Sequence, residues 1–583
     1  MPETSTQRGD NHRSSEQRHQ GSLPEVTPSG EPPSERPVTK SDQPNYSVFT
    51  TWQKRSIVLG AAAGAFFSPL TAQIYFPALG MLAKDLNVSI TQINLTVTTY
   101  MIFQGLTPMF IGSFADATGR RPAYLICFVI YIGANIGCAL APNYVALLVL
   151  RMVQSAGSST TVALCQAVVS DIITSAERGQ YVGFAAVPTI LAPALGPVIG
   201  GLISQFLGWR WIFWFLTILA GAFMVLYALF MPETCRNIVG DGSLRPHKAY
   251  RPLLQLGKEA LAARQRSRRR ANQDSENNDN NNDLTLRQTI SRVSTKKSLH
   301  VRRLNPFKSL TILFDKEMFL LLMYSSIIFA GFYAVATAMP SQLAANYGFG
   351  DLTVGLMFLP LGGGSIFAAA VLGRLINWNY ERHCRRLGVP FERSKQPDLA
   401  GFPIERARLE IGLPLLALAS AVLMGWGWAM QYKTHVAVPC VLLFLLGIGI
   451  IGFSNTSNVL LVDVNQGHAG AATAANNLTR CLVGAAATAA INPMIDGIGD
   501  GWAFFLLGAL SFAGAPMLLL IMKHGVRWRK EKEEKEQRKR EKKEQEGLQG
   551  HEDGVDDGNG SAASVHGVSE RVDDGNSGPD EKN

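Results

Sequence analysis

Charge is missing from most of this chain. Only 17% of the 583 residues are Asp, Glu, Lys or Arg, against 47% hydrophobic, and nearly all the charged ones fall in residues 1–55, 232–317, 374–410 and 523–583. The two long charge-poor blocks between them exclude an ordinary soluble helical domain, whose helices alternate apolar and polar faces. An apolar run behind a short basic N-terminal stretch is also absent, so no cleaved signal peptide is expected. No phosphate-cradling glycine loop precedes a helix and no Ser/His/Asp set has suggestive spacing, which argues against an ATP-driven pump and against an enzyme. The seven cysteines, Cys127, Cys138, Cys165, Cys235, Cys384, Cys440 and Cys481, lack metal-ligand spacing. Neither a disulfide framework, a metal site nor a cofactor is expected.

What is present is a series of apolar segments of roughly 20 residues, the length an α-helix needs to cross about 30 Å of hydrocarbon. Twelve can be counted: 56–78, 92–113, 122–141, 145–169, 181–206 and 210–231, then 318–340, 353–376, 411–431, 436–461, 469–493 and 501–523. The fold class expected is therefore an all-α integral membrane protein. Its parts are a disordered tail (1–55), a six-helix half (56–231), a polar linker (232–317), a second six-helix half (318–523) and a charged tail (524–583). The linker carries Arg264, Arg266, Arg268, Arg269 and Arg270 and then an Asn/Asp run, a composition that reads as disorder. The stretch 527–543 mixes Glu with Lys and Arg at helical spacing and reads as a short solvated helix.

Orientation follows from the loops. Cations concentrate after the second, fourth, sixth and eighth spans, at Arg120, Arg121, Arg178, the linker, Arg374, Arg382, Arg385 and Arg386. The positive-inside rule then places both termini in the cytoplasm, which requires an even number of spans. The net charge of +9 is accounted for by loops beside anionic lipid. No nucleic-acid partner is needed.

Three motifs carry mechanism. After the second span come Gly112, Asp116, Gly119, Arg120 and Arg121, where Gly112 permits close helix approach, Gly119 a sharp turn, and the charges a compact cluster at the membrane surface. In the fourth span Arg151 and Gln154 are three apart and share a helix face. Burying that arginine costs at least about 2.5 kcal/mol unless it snorkels or faces a polar interior. The fifth span holds Gly183, Pro188, Pro193, Gly196, Pro197, Gly200 and Gly201.

The first set resembles the major facilitator signature G-x-L-A-D-x-x-G-R-[KR], with Phe114 in place of Leu. The second is similar to that superfamily's R-x-x-Q-G, with Ser155 for Gly, and the third to its antiporter motif, with Ala192 at one expected Gly. With Ile74 to Leu79, Gly208 to Trp214 and Pro232 to Thr234, the whole resembles the fungal twelve-span drug:proton antiporters of the quinidine-resistance and citrate-exporter branch. The resemblance implies the major facilitator fold and secondary active efflux by proton antiport. It also implies gating by Asp116 and Arg120, with the first turn of the eleventh span attracting Asp116, and close packing of spans five and eight. After the eighth span, Gly373 and Arg374 keep a remnant of the first motif.

In the eleventh span Arg480 lies near the middle, so each half carries one intramembrane arginine while no Asp or Glu lies deep in any span. That bias points to acidic substrates, organic acids or acidic metabolites. Candidate substrate-binding residues are Arg151, Gln154, Arg480, Asn477, Asn455 and Gln104, with Asn455 and Asn458 three apart on one face. A packing role is the alternative for each polar residue. The partners expected are a small-molecule substrate, protons and the lipid bilayer, for a monomer in the plasma membrane. Two alternatives stay open: a carrier of cationic or neutral drugs, and a non-transporting receptor that signals through its linker.

Overall fold

The computed structural model describes residues 47–244, 246–247, 250–274, 315–388, 402–465 and 469–556. Ten long helices precede a kinked pair. In the first half these are α1 (Thr51–Gln73), α2 (Ile90–Thr118), α3 (Arg120–Ala139), α4 (Tyr144–Ile172), α5 (Ser175–Leu207) and α6 (Arg210–Phe230). The second half has α7 (Lys316–Tyr347), α8 (Phe358–Leu387) behind the short helix Asp351–Leu356, α9 (Ile404–Gln431) and α10 (Ala437–Val464). The next helix, α11 (Ala469–Ala513), breaks at Gly499, whose φ of 81° no L side chain favours, so residues 500–513 and the start of α12 (Ala515–Asp556) form the twelfth crossing. No strand occurs among the described residues.

Local chemistry sets the boundaries. Thr50 and Ser89 each accept the backbone N–H of the glutamine three residues on, Gln53 or Gln92, which returns the bond to the cap; Asn143 accepts from Ala146 at 2.9 Å. Inside a bilayer no water exists to satisfy freed backbone groups, so helices run unbroken from cap to cap.

Burial is inverted relative to a soluble bundle. Phe206, Ile218 and Phe230 are 65–69% exposed, while Asn94, Asn135, Arg151, Gln154, Ser155, Ser326 and Thr488 are buried. An apolar exterior of this extent suits only a hydrocarbon surround. The chain is a multi-pass membrane protein.

Two pairs of helices join the halves, α2 with α11 and α5 with α8. Their seams are built on small residues. A Cβ at Gly105 would meet Cys481 Cβ at 3.0 Å and the Leu478 carbonyl at 3.3 Å, and one at Gly201 or Gly355 would run into the backbone carbonyl of Asp351 or Pro197. Gly196 and Gly200 lie equally close to the end of α1, at Gln73 and Ile74. Beside them Gln205 accepts the Leu352 N–H at 2.9 Å, Ser204 bonds Asp351, and Phe76 stacks on Phe358 at 6.2 Å. The bundle is thus drawn together where α5 ends and α8 begins. Toward the opposite end, Gly112 and Gly183 have open space within 4 Å of where a Cβ would sit. Gly112 therefore makes no close helix approach in this conformation, contrary to the expectation from its type.

The connection between the halves is more ordered than its composition implies. Residues 253–274 form a helix, with Arg251 bonded to Glu259 at 2.9 Å, because a solvated helix needs only its own backbone bonds and side-chain pairs. The Asn/Asp run lies outside the described residues. The stretch beyond residue 523 likewise continues as helix and begins inside the protein. There Arg529, 7% exposed, reaches Glu405, 1% exposed, at 3.3 Å and donates to the Phe402 carbonyl at 2.8 Å.

Replacing Gly355 with Leu should cost about 1–3 kcal/mol by forcing α5 from α8. A lowered thermal midpoint of the detergent-solubilised protein, against an unchanged one for Gly221→Leu in open space, would establish the seam.

Candidate functional site

The deepest charge in the first half is Arg151 on α4, 1% exposed. Its Nη1 donates to Gln154 Oε1 at 2.6 Å, and Gln154 in turn donates to Asn135 on α3 at 2.7 Å. The guanidinium lies between two rings, 4.1 Å from the centroid of Tyr75 and 4.3 Å from that of Tyr100. Cation–π attraction of about 0.5–2 kcal/mol per ring offsets part of the desolvation cost. Nε and Nη2 nevertheless remain buried without a hydrogen-bond partner. Among the described residues no carboxylate pairs with this arginine.

From there a polar path crosses the bundle. The Tyr100 hydroxyl lies 3.1 Å from Ser158 Oγ and 3.3 Å from the Ser68 carbonyl, while Gln104 donates to Ser68 Oγ at 3.4 Å. Asn477 on α11 donates to the Gln104 carbonyl at 3.1 Å and accepts from Arg480 Nη2 at 2.9 Å. Arg480 is partly exposed, lies 4.7 Å over the Phe329 ring of α7, and keeps its Nε buried and unpartnered. Five of the six expected substrate residues, Arg151, Gln154, Gln104, Asn477 and Arg480, thus fall along one path. Asn455 stands apart: its neighbour Asn458 accepts from Asn476 at 2.7 Å, whereas Asn455 is half-buried.

The charged cluster after α2 is assembled differently from the expectation. Asp116 pairs with Arg120 at 2.5 Å, and Arg120 Nε reaches Asp171 at the end of α4 at 2.9 Å. The Asp116 side chain is 61% exposed, so α11 does not cover it here. The more demanding contact comes from Glu233, beyond α6. Buried at 3% exposure, its carboxylate accepts the backbone N–H groups of Arg120 and Arg121 at 2.9 and 3.1 Å and those of Thr234 and Cys235 at 2.9 Å. It caps the N-terminus of α3, where the helix dipole favours an anion. At Gly119, with φ of 107°, a Cβ would fall 2.6 Å from Glu233 Oε2, so both backbone shape and the carboxylate require glycine.

In the second half the counterpart sits elsewhere than Gly373 and Arg374. Arg374 is exposed and Gly373 faces open space. Instead Arg408 on α9 holds Asp463 at the end of α10 at 3.0 Å, with its guanidinium 4.7 Å over Tyr380. Third helix to fourth helix, this repeats Arg120 to Asp171.

A family profile described as Major Facilitator Superfamily matches residues 61–488, from within α1 through the arginine of α11. The chain belongs to the major facilitator superfamily. Among its relatives in the superfamily are the MFS-type transporter phiD of a fungal species, 46% identical over 83% of this chain and 70% of that protein, and tstD of Talaromyces stipitatus, 43% identical over 85% and 86%. Citrate exporter 1 of Aspergillus niger is 32% identical over 86% of this chain and 91% of its own. The crystal structure of the human organic anion transporter MFSD10 (TETRAN) shares the major facilitator fold, with a TM-score of 0.50 at 16% identity over 80% of this chain and 99% of that one. The chain is thus a membrane transporter.

Glu233→Ala would leave four buried N–H groups without their acceptor, at about 1–3 kcal/mol or more. Thermal unfolding should show a large drop for Glu233→Ala and a smaller one for Glu233→Gln, which keeps one carbonyl oxygen.

Proposed function

We propose that this transporter exports small organic acids from the cytoplasm by secondary active proton antiport, acting as a monomer in the plasma membrane with both termini cytoplasmic. The observation that carries the reading is the pair of guanidiniums, Arg151 and Arg480, with buried N–H groups left unpartnered. Among the described residues no acid is paired with either. In the sequence of the membrane-crossing helices up to residue 523 every Asp and Glu lies within seven residues of a helix end or of the Gly499 break. A cavity with cations and no fixed anion attracts carboxylates and repels amines. The name of the Aspergillus niger relative, a citrate exporter, supports the same class.

In this reading Arg480 and Asn477 receive the carboxylate from the end where the halves stand apart. Gln104 and Gln154 orient it, and Arg151 supplies a second cation once Tyr75 and Tyr100 shift. Asn455, on the tenth helix, borders the path. Release on the far side requires the seam of Gly196, Pro197, Gly200 and Gly201 to part, while Asp116, Gly119, Arg120 and Arg121, with Gly112 now against α11, close the cytoplasmic end. Gly183 gives α5 room to bend. The proton is carried by Asp116, Asp171 or Asp463 at the cytoplasmic face or by the substrate's own carboxyl group.

The test is uptake of citrate into inside-out vesicles carrying the purified protein, with and without an imposed pH gradient. Losing a charge-assisted contact of about 1.5–3 kcal/mol should lower citrate transport by Arg480→Gln roughly 10-fold or more. A neutral substrate should be little affected. Equal losses for anionic, neutral and cationic substrates would sink the anion assignment, and transport indifferent to the gradient would sink proton coupling.

A further inference from the structure

Residues 367–386 of α8 are two-faced. One face is pinned into the protein: Asn379 donates to the Ala407 carbonyl at 2.7 Å, His383 bonds Glu410 at 2.9 Å, and Leu372, Ile376, Tyr380 and Cys384 are buried beside them. The opposite face is largely exposed, with Phe367 touching the Phe444 ring of α10 at 6.2 Å. Phe367, Val371 and Leu375 are 38–50% exposed, and the stripe runs straight into Trp378, 57% exposed, at helical spacing.

Below Trp378 the apolar stripe gives way to a cavity of about 450 Å³ lined by Trp378, Glu381, Arg382, Arg385 and Arg386. Arg382 lies 5.8 Å over the Trp378 ring, and Arg385 is held by Glu381 at 2.8 Å. Three guanidiniums face one carboxylate, leaving an excess of two positive charges. From Phe358, the start of α8, to Trp378 is twenty residues, about 30 Å at 1.5 Å per residue, one hydrocarbon thickness. Trp378 therefore falls at the boundary where indoles anchor, and the arginines fall at headgroup depth.

We infer that this cavity on α8 is a binding site for the phosphate headgroup of an anionic phospholipid, with Arg382 and Arg386 as its anion ligands and the stripe above Trp378 receiving the acyl chains. The lipid is favoured over a soluble anion because the charged cavity opens directly below an exposed apolar track, which only an amphiphile covers in one piece. Guanidinium forks match phosphate oxygens two at a time. Because the inner face of the same segment is bonded to α9, a lipid held here braces the α8–α9 end against unfolding.

The experiment uses the full-length protein in phosphatidylcholine-containing detergent micelles. Its thermal midpoint is read with added phosphatidylserine or phosphatidylinositol 4-phosphate. Both should raise the midpoint, by about 3 °C or more for the monoester, as expected of a ligand that binds only the folded state. The gain should vanish in Arg382→Gln/Arg386→Gln, persist in Arg374→Gln, and shrink in the unaltered protein as salt rises. Equal stabilisation by extra phosphatidylcholine, a full gain in the double variant, or the same gain from water-soluble inositol phosphate would each overturn the assignment. Should the double variant not fold, the salt series and the inositol phosphate control decide the matter alone.

Discussion

In hydrocarbon there is no water to hydrogen-bond, and every polar group must find its partner within the protein. Nearly everything else here follows from that constraint. It makes the described membrane core helical, and it places Asn135, Gln154, Ser155 and Tyr100 inside the bundle bonded to one another while Phe206 and Ile218 face outward. Four backbone N–H groups at the start of α3 and beyond α6 are gathered onto one buried carboxylate, Glu233, for the same reason. Among the buried polar atoms where the constraint is left unmet are Nε and Nη2 of Arg151 and Nε of Arg480.

The two halves meet it in parallel ways. Arg120 to Asp171 and Arg408 to Asp463 each tie the start of a third helix to the end of a fourth. Neither pair is flanked by the same residues, so the repetition is one of placement. The seams between halves are parallel too: α2 with α11 through Gly105, and α5 with α8 through Gly201 and Gly355, use missing side chains to bring backbones together.

Much of this was legible in the sequence because hydrocarbon selects by composition. The sixth apolar segment, read as 210–231, is α6 at Arg210–Phe230. The eighth, read as 353–376, falls well short of Leu387. The discrepancy is physical: hydropathy marks where the bilayer stops, whereas a helix stops where its backbone bonds do. Arg151 and Gln154 are visible as a polar pair on one face, but the rings around Arg151 come from just beyond α1 and from α2 and need the tertiary structure. In the sequence Tyr75 stands out only within the string to Leu79 that carries the family resemblance. Glu405 and Arg408 sit at a helix start amid other charges and Arg529 in a charged run, where nothing local distinguishes a partnered residue from a solvated one, while Asp463 is a lone acid at the end of α10. Glu233 was seen in its Pro-Glu-Thr string, yet its four bonds reach 112 and 113 residues back along the chain as well as to its neighbours.

Arg529 also redraws where the working protein ends. Hydropathy would trim the chain near residue 523, but Glu405 lies at 1% exposure against that arginine. A shortened or fused version that stops before it would strand an anion inside α9's first turn, at several kcal/mol. For anyone engineering a tag, a reporter or a crystallisation boundary, the first permissible cut lies beyond this contact, in the solvated part of the helix.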